Sequence, residues 1–410
     1  MSKILIDIGS LCTKINFVGR DPLMISSSAD YILDFSVKFS TIEYYSKFPD
    51  CKADFPYYES TFFSRNKLID TTKYSNFLGH CFNLLNCDPS EANMIVLIPP
   101  IDQESFVAKT SEILFETYNC PKLSMISQSF FADEHKNFVS VMTGFSDTYI
   151  LPYINCQPCS KSLRHIPIGG HQITEFISSS LKQRPQNQYI EEENFMWMSE
   201  QIKLSDRFPY FDSNIDIDDF KHSTPLKTIF KLHPITKKKE FFTFGYERYL
   251  GTSCALLPGN IDPSLNYTLA EQINESIKSA VVETKSISHM EKTLKNRISV
   301  VGGPASARGI KYKLHNLFKS KKLKSKLKKN VSKNDQANEE NKDSDTKKEA
   351  VKKKKDDDKN DDSKKETQAK DPITQIFITA SKHYEKIDNI FITNESYKED
   401  HANCLLFACK

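Results

Sequence analysis

The sequence predicts an α/β fold, and three observations support that prediction. Short apolar stretches typical of strands alternate with stretches in which apolar residues recur at helical spacing. Two apolar hairpins share one plan, in which a glycine, Gly9 or Gly144, is followed four residues later by a threonine. A further buried strand, over residues 298–301, ends in the pair Gly302-Gly303.

The two hairpins cover residues 4–18 and 139–152. Glycine accepts positive φ and adjacent Ser or Thr hydroxyls bond locally, so each turn can gather backbone N–H groups. Two such turns that face each other would form an anion cradle, whereas taken singly each also fits an ordinary hairpin. The pattern alone leaves both interpretations open.

The remaining elements follow from periodicity and from glycine and proline positions. Apolar residues at helical spacing predict a helix over 102–118, which Pro121 ends. A strand follows at 123–126. Further along the chain we expect helices at 173–177, 191–205, 269–282 and 309–318, irregular chain from 206 to about 239, a strand and turn at 241–245, and ordered structure again from Ile376.

Residues 319–371 break the alternating pattern. This segment has 19 Lys, 13 Asp and Glu, and no aromatic, Gly or Pro residue. It cannot bury enough apolar surface to offset the entropy of ordering, so we expect a disordered insertion. Its basic portion, 319–355, is typical of a nuclear-import or nucleic-acid-binding tract and equally of a solvated loop.

Composition restricts the class of protein. The chain carries 56 Lys and Arg against 53 Asp and Glu, but this balance averages a mildly acidic globule with the basic insertion, so net charge does not identify a partner. No apolar stretch approaches the ~20 residues of a membrane span, and a strand begins at Ile4, so we expect an intracellular protein without a membrane partner.

The cysteines and histidines give weak signals. Ten scattered cysteines fit reduced, mostly buried thiols. Cys156 and Cys159 have C-x-x-C spacing, but a second pair for zinc is missing and the pair follows a hairpin, so we expect neither a metal nor a redox site. The histidines show no metalloprotease spacing.

Several motifs, in order, resemble the actin and actin-related family. The resemblance covers most of the chain outside the insertion and residues 22–66, and the run at 244–249 is the most specific part of it. The similar stretches are 7–19, 114–121 with Ser127-Gln128, 170–176, 244–249, 300–310 and 390–409.

The resemblance implies an actin-like fold, with two RNase-H-like domains around a nucleotide cleft, each with a smaller subdomain. The first domain would comprise residues 1–130 and 376–410, with a small divergent subdomain at about 22–66. The second would comprise 131–318, with 319–371 as the insertion.

The resemblance also implies roles for individual residues, with ATP or ADP and Mg²⁺ as the expected cofactors. Asp7 would bind Mg²⁺ through water, Lys14 would lie across the β- and γ-phosphates, and Gln128 would position the attacking water. The remaining expected nucleotide-binding residues are Gly9, Ser10, Gly144, Ser146, Lys203, Gly302 and Gly303.

The sequence departs from the family pattern at this site. Where the second hairpin normally has two acids and a histidine, the chain has Met142, Phe145 and Tyr149. Losing a charge that organises phosphoryl transfer commonly slows the reaction by about 100-fold or more, so we expect slow or absent ATP hydrolysis and a vestigial Gln128. Further departures are Leu11 for a glycine, Leu204 for a glutamate and Ala307 for a tyrosine.

These features predict a structural subunit that does not form filaments. The Gly144-Phe145 pair, the run at 166–170 and the Lys-rich insertion are similar to actin-related proteins that cap the dynactin minifilament, which implies a cytoplasmic, cytoskeletal scaffold whose partners are other actin-related subunits. The alternatives are a nuclear actin-related subunit of a chromatin complex and an active ATP-binding cytoskeletal actin. Residues 22–66 lack a recognisable filament-contact loop, which disfavours the active actin.

Overall fold

The computed structural model describes most of the chain outside the insertion. The described residues are 1–27, 34–35, 62–64, 67–100, 103–190, 195–196, 198–199, 202–203, 224–232, 239–285, 289–306, 310–316, 318, 372, 374–386 and 391–400. The predicted insertion at 319–371, Leu204 and Ala307 lie outside them, and the subdomain predicted at about 22–66 is described only in part.

The described residues form strands and helices that alternate, which confirms the predicted α/β class. The strands are β1 Ser2–Asp7, β2 Cys12–Phe17, β3 Leu23–Ser26, β4 Asp34–Phe35, β5 Phe63–Ser64, β6 Lys67–Leu68, β7 Ala92–Ile98, β8 Lys122–Ser127, β9 Phe138–Thr143, β10 Thr148–Ile154, β11 Gln157–Pro158, β12 Arg164–Ile166, β13 Lys227–Leu232, β14 Lys239–Phe244, β15 Ile298–Val301 and β16 Ile392–Thr393. The α-helices are α1 Thr71–Leu84, α2 Gln103–Glu112, α3 Gly170–Lys182, α4 Leu250–Leu256, α5 Leu269–Glu283, α6 His289–Asn296, α7 Gln375–Lys386 and α8 Asn394–Asp400.

The first large sheet has seven strands in the order β16-β8-β7-β1-β2-β3-β4. The first hairpin, β1–β2, is antiparallel, and β7 and then β8 continue the sheet in parallel. Strand β1 lies at the centre because Ile4, Leu5 and Ile6 are all fully buried, as a strand covered on both faces requires.

The second large sheet repeats this plan. Its antiparallel hairpin β9–β10 is extended by β15, which runs parallel to β9, while β11 and β12 pair with β10. In both sheets the hairpin turn follows a buried central strand, so each turn projects from the end of its sheet.

A core of buried apolar side chains joins the two sheets. Leu5 and Leu97 of the first sheet pack in one cluster with Leu151 and Val301 of the second, together with Phe377 of α7. Full burial of such side chains contributes about 1.5–3 kcal/mol each, so the two hairpins are held in fixed relation.

Most predicted elements match the structure. The helix expected over 102–118 is α2, continued by a π-helical turn over Ile113–Thr117, and the helix expected at 269–282 is α5. The irregular chain expected before residue 239 was wrong in part, because Lys227–Leu232 forms β13, which pairs with β14 in an isolated two-stranded ribbon. Within the described residues, no helix is long and apolar enough to cross a membrane.

Candidate functional site

The two hairpin turns line one cleft between the large sheets. Every residue that the sequence suggested for nucleotide binding or water positioning lies on its wall, although the ten come from distant parts of the chain. They are Asp7, Gly9, Ser10, Lys14, Gln128, Gly144, Ser146, Lys203, Gly302 and Gly303.

The first turn carries a closed charge network. Asp7 and Lys14 are cross-strand partners of β1 and β2, which places their side chains together. Lys14 Nζ donates to Asp7 Oδ2 at 2.8 Å, and Gln128 Nε2 donates to Asp7 Oδ1 at 2.7 Å and to the Ile8 carbonyl oxygen at 2.9 Å. Asp7 is 3% exposed, so its charge is compensated within the protein by a cation and an amide.

The second turn is fastened to the start of a helix. The Gly144 amide donates to the Asp147 carbonyl at 2.7 Å and closes the turn. The Gly144 and Phe145 carbonyl oxygens accept from the Gly170 and His171 amides of α3, at 2.9 and 2.8 Å. Because helix N-terminal amides are otherwise unsatisfied donors, these bonds fix the turn against the first turn of α3.

Glycine is required where the walls of the cleft approach each other. Gly302 has φ +103°, and a Cβ there would lie 2.1 Å from the Thr143 carbonyl oxygen. At Gly9 a Cβ would lie 2.7 Å from the Cys12 carbonyl oxygen. The first hairpin turn and the turn after β15 therefore present bare backbone to the cleft, as a phosphate cradle needs.

Apolar and aromatic residues stand where the family pattern has two acids, a histidine and a glycine. Met142, Phe145, Tyr149 and Leu11 all line the cleft. The Phe145 ring lies 5.0 Å from the His171 ring, centroid to centroid. The wall of the second turn thus offers ring and thioether surface in place of two carboxylates.

Sequence reasoning missed a buried acid in the same turn. Asp147 lines the cleft with a side chain that is 4% exposed, and its Oδ1 lies 2.7 Å from His165 Nε2. Its Oδ2 has no hydrogen-bond partner among the described residues. The available signal was the acid two residues after Phe145. The histidine joins it because β12 pairs with β10, with His165 opposite Tyr149.

Lys203 closes another side of the cleft. Its Nζ donates to the Gly170 carbonyl at 3.0 Å and to Thr174 Oγ1 at 2.7 Å. Lys203 is thereby held against α3, beside the glycine turn of β15. A buried ammonium group at this position can bind a hydroxyl or phosphate oxygen of a cleft ligand.

The C-x-x-C pair is separate from this cleft. Both Cys156 and Cys159 are free thiols, and burial raises the pKa of Cys159 to about 11, which disfavours a reactive thiolate. Within the described part of the chain, no three His, Cys, Asp or Glu side chains are grouped to hold a metal ion.

The donor set of the cleft fits a nucleotide phosphate group. Glycine turns supply backbone N–H groups, and Lys14 and Lys203 supply positive charge. For a divalent cation the wall offers two carboxylates, of which Asp147 retains an oxygen without a donor.

Comparison with known proteins agrees with this arrangement. The family described as Actin matches residues 1–225. The chain is 25% identical to "Actin-related protein 3" of Acanthamoeba castellanii, over 52% of this chain and 53% of the relative. It is 25% identical to the Drosophila melanogaster protein of that name, over 73% and 75%, and 28% identical to the one from Oryza sativa subsp. indica, over 50% of each. In the first and third comparisons, the chain spans about half the length of the relative.

Proposed function

The chain belongs to the actin family, and we propose that it serves there as a structural subunit of a larger actin-related assembly that does not itself form filaments. The single observation that supports this role most strongly is the wall of the cleft. The backbone cradle is complete, but Met142 and Phe145 stand where the acids of a hydrolytic site were expected. Such a cleft can hold a nucleotide as a clamp between two domains without turning it over.

The proposed clamp assigns each residue a limited task. Members of the family generally bind ATP or ADP with Mg²⁺, and the bound group would supply phosphate charge between the two hairpins. Lys14 and the turn amides bind that charge, and Lys203 contacts the opposite side. Gln128 is held by Asp7 and the Ile8 carbonyl, so it retains a position suited to orienting water. Hydrolysis is slow because the second turn adds no charge at the expected positions.

A cytoplasmic, cytoskeletal assembly of the dynactin type is the finer form of this proposal. In it, the protein caps or scaffolds a short actin-related filament, and its partners are other actin-related subunits. The support comes from the Gly144-Phe145 turn, the run at 166–170 and the Lys-rich insertion at 319–371. The matched relatives carry the name Actin-related protein 3 and do not themselves point to that assembly.

The experiment that tests the structural role is purification of the tagged full chain from its own cells. Co-purifying actin-related or scaffold subunits at fixed stoichiometry are the expected result. Dynactin-type subunits would support the finer form of the proposal. Chromatin-complex subunits would instead indicate a nuclear complex. Recovery of the protein alone would contradict the structural role.

The basic insertion is the observation that favours a nuclear alternative. Residues 319–355 could bind DNA through phosphate electrostatics. DNA binding titrated with salt should be compared between the full chain and a deletion of 319–371. Binding that falls steeply with salt and disappears with the deletion would favour this alternative, and equal, negligible binding by both would eliminate it.

The second alternative is an active, filament-forming actin. Sedimentation of the purified protein with Mg²⁺ and ATP at micromolar concentration separates it from the proposed role. We expect the protein to remain in the supernatant. A polymer in the pellet would support the alternative.

A further inference from the structure

Asp147 has an unusual environment for a buried acid. One carboxylate oxygen faces His165 Nε2 at 2.7 Å, while Oδ2 is buried without a hydrogen-bond partner among the described residues. A buried charged oxygen without a donor destabilises the folded protein, because nothing replaces the hydrogen bonds it would make to water. The residue lines the cleft, so a ligand there is the available source of a donor or cation.

The two acids of the cleft wall differ in how they are compensated. Both oxygens of Asp7 already accept hydrogen bonds, from Lys14 and from Gln128. Among the described residues, the Asp147 carboxylate has one hydrogen-bond partner, a histidine whose side chain is 42% exposed. The second hairpin therefore contributes an incompletely compensated negative charge at the place where two glycine turns form an anion cradle.

These two features conflict unless a cation lies between them. A phosphate in the cradle and a carboxylate in the same wall repel each other, because both carry negative charge. A divalent cation removes the repulsion, because it takes carboxylate and phosphate oxygens or their bound waters as ligands.

We propose that Asp147, oriented by His165, is the carboxylate through which the second hairpin binds the divalent cation that accompanies a nucleotide phosphate. The acid has been displaced along the turn from the positions of Met142 and Phe145. This inference rests on the nucleotide clamp of the proposed function, whereas the structural role does not depend on it.

His165 acts as a positioning residue in this site. Its Nε2 engages Asp147 Oδ1, and its ring stacks on Tyr149 with centroids 5.0 Å apart and planes 13° apart. Carboxylates that bind metal ions are themselves held by hydrogen bonds from neighbouring groups, which fix their orientation. Tyr149, which replaces a histidine of the family pattern, thus packs against the histidine that orients Asp147.

The test is the affinity for ADP measured by calorimetry on the full chain, in excess Mg²⁺ and in EDTA. We expect the wild type to bind ADP at least about tenfold more tightly with Mg²⁺. Asp147→Asn should lose this difference, and its affinity in EDTA should exceed that of the wild type, because the repulsion is gone. A structural role alone would not produce that gain.

A matched control is available outside the cleft. Asp133 forms a similar pair with His135, with Asp133 Oδ1 2.5 Å from His135 Nδ1. Asp133→Asn should leave the Mg²⁺ dependence unchanged. His165→Gln should reduce the dependence without abolishing it. Thermal melts of all variants establish that each is folded.

Two results would overturn the inference. Equal ADP affinity of the wild type in Mg²⁺ and EDTA would show that no cation mediates binding, and an unchanged Mg²⁺ dependence in Asp147→Asn would place the cation elsewhere. If the wild type binds no ADP in either condition, the inference and the clamp both fail. The structural role is tested separately, by the subunits that co-purify with the protein.

Discussion

The two hairpin turns of the cleft share a backbone plan and differ in chemistry. The first keeps an acid, a lysine and an amide in a closed network of Asp7, Lys14 and Gln128. The second keeps the glycine and its bonds to α3 but carries Phe145 and Met142 on its wall. The two turns thus combine the same backbone plan with different side-chain chemistry on their walls.

The physical reason is that different interactions maintain geometry and charge. Close backbone contacts, such as that of Gly302 with Thr143, determine the shape of the second turn whatever side chains line it. Side chains at positions 142 and 145 line the cleft, so a charge there affects ligand chemistry more than the shape of the turn. The fold can therefore remain intact while hydrolysis declines, as a structural role requires.

The largest expected effect tests whether the close contact between the turn after β15 and the end of β9 requires a glycine. Gly302→Ala should destabilise the protein by about 3 kcal/mol or more, because a Cβ would lie 2.1 Å from the Thr143 carbonyl oxygen at φ +103°. Gly303→Ala is the matched control, since a Cβ there meets no atom within 4 Å. Urea unfolding midpoints measure both, and equal midpoints would contradict the account.

The next effect concerns the closed network of the first turn. Lys14→Met leaves Asp7 buried beside Gln128 alone, and we expect a loss of about 3 kcal/mol. The double variant Asp7→Asn with Lys14→Met should lose less than Lys14→Met, because no buried charge is then left uncompensated. Urea midpoints of the two variants provide the comparison, and a double variant that loses as much stability as Lys14→Met would contradict the prediction.

A smaller effect is expected from returning charge to the second turn. Met142→Asp with Phe145→Asp should raise the rate of phosphate release from ATP by about tenfold, or about 1.4 kcal/mol in the barrier. Met142→Leu with Phe145→Leu is the control, which changes shape without charge. Equal rates in both variants would mean that the missing acids do not limit hydrolysis.

The smallest expected effect is a pH dependence of folding stability, which we attribute to a histidine beside the core that joins the two sheets. Burial lowers the pKa of His383 below its usual 6.5, and its ring packs on Phe131 at 5.5 Å. The folded state favours the neutral ring, so this contribution to stability is present above pH 6.5 and is lost as the pH falls through the lowered pKa. His383→Phe should show a smaller loss of urea midpoint between pH 7 and pH 5, and an equal loss would contradict this assignment.

Much of the fold could be predicted from the sequence because its signals are local. Apolar runs such as Ile4–Ile6 and the helical periodicity of α5 depend on nearby residues alone. The short Thr- and Lys-containing strand β13 was missed because its pattern forms a strand only when paired with β14. Helix α1 was also not identified.

In the candidate site, too, the residues with local signals could be predicted and those brought together by strand pairing could not. Its ten predicted residues lie in short motifs, so a resemblance could identify them before the structure brought them to one cleft. Asp147 and His165 are eighteen residues apart in the chain. Their pairing depends on the register of β10 and β12, which composition and spacing do not reveal.

The central claim is that the cleft binds ATP without hydrolysing it, and a single-turnover assay tests this most directly. The full chain is loaded with ATP and Mg²⁺, samples are denatured at intervals over several hours, and the bound nucleotide in each is identified. We expect the nucleotide to stay bound and to remain ATP, because the backbone cradle is intact and Met142 and Phe145 stand where acids were expected. Conversion of the bound ATP to ADP within minutes would contradict it.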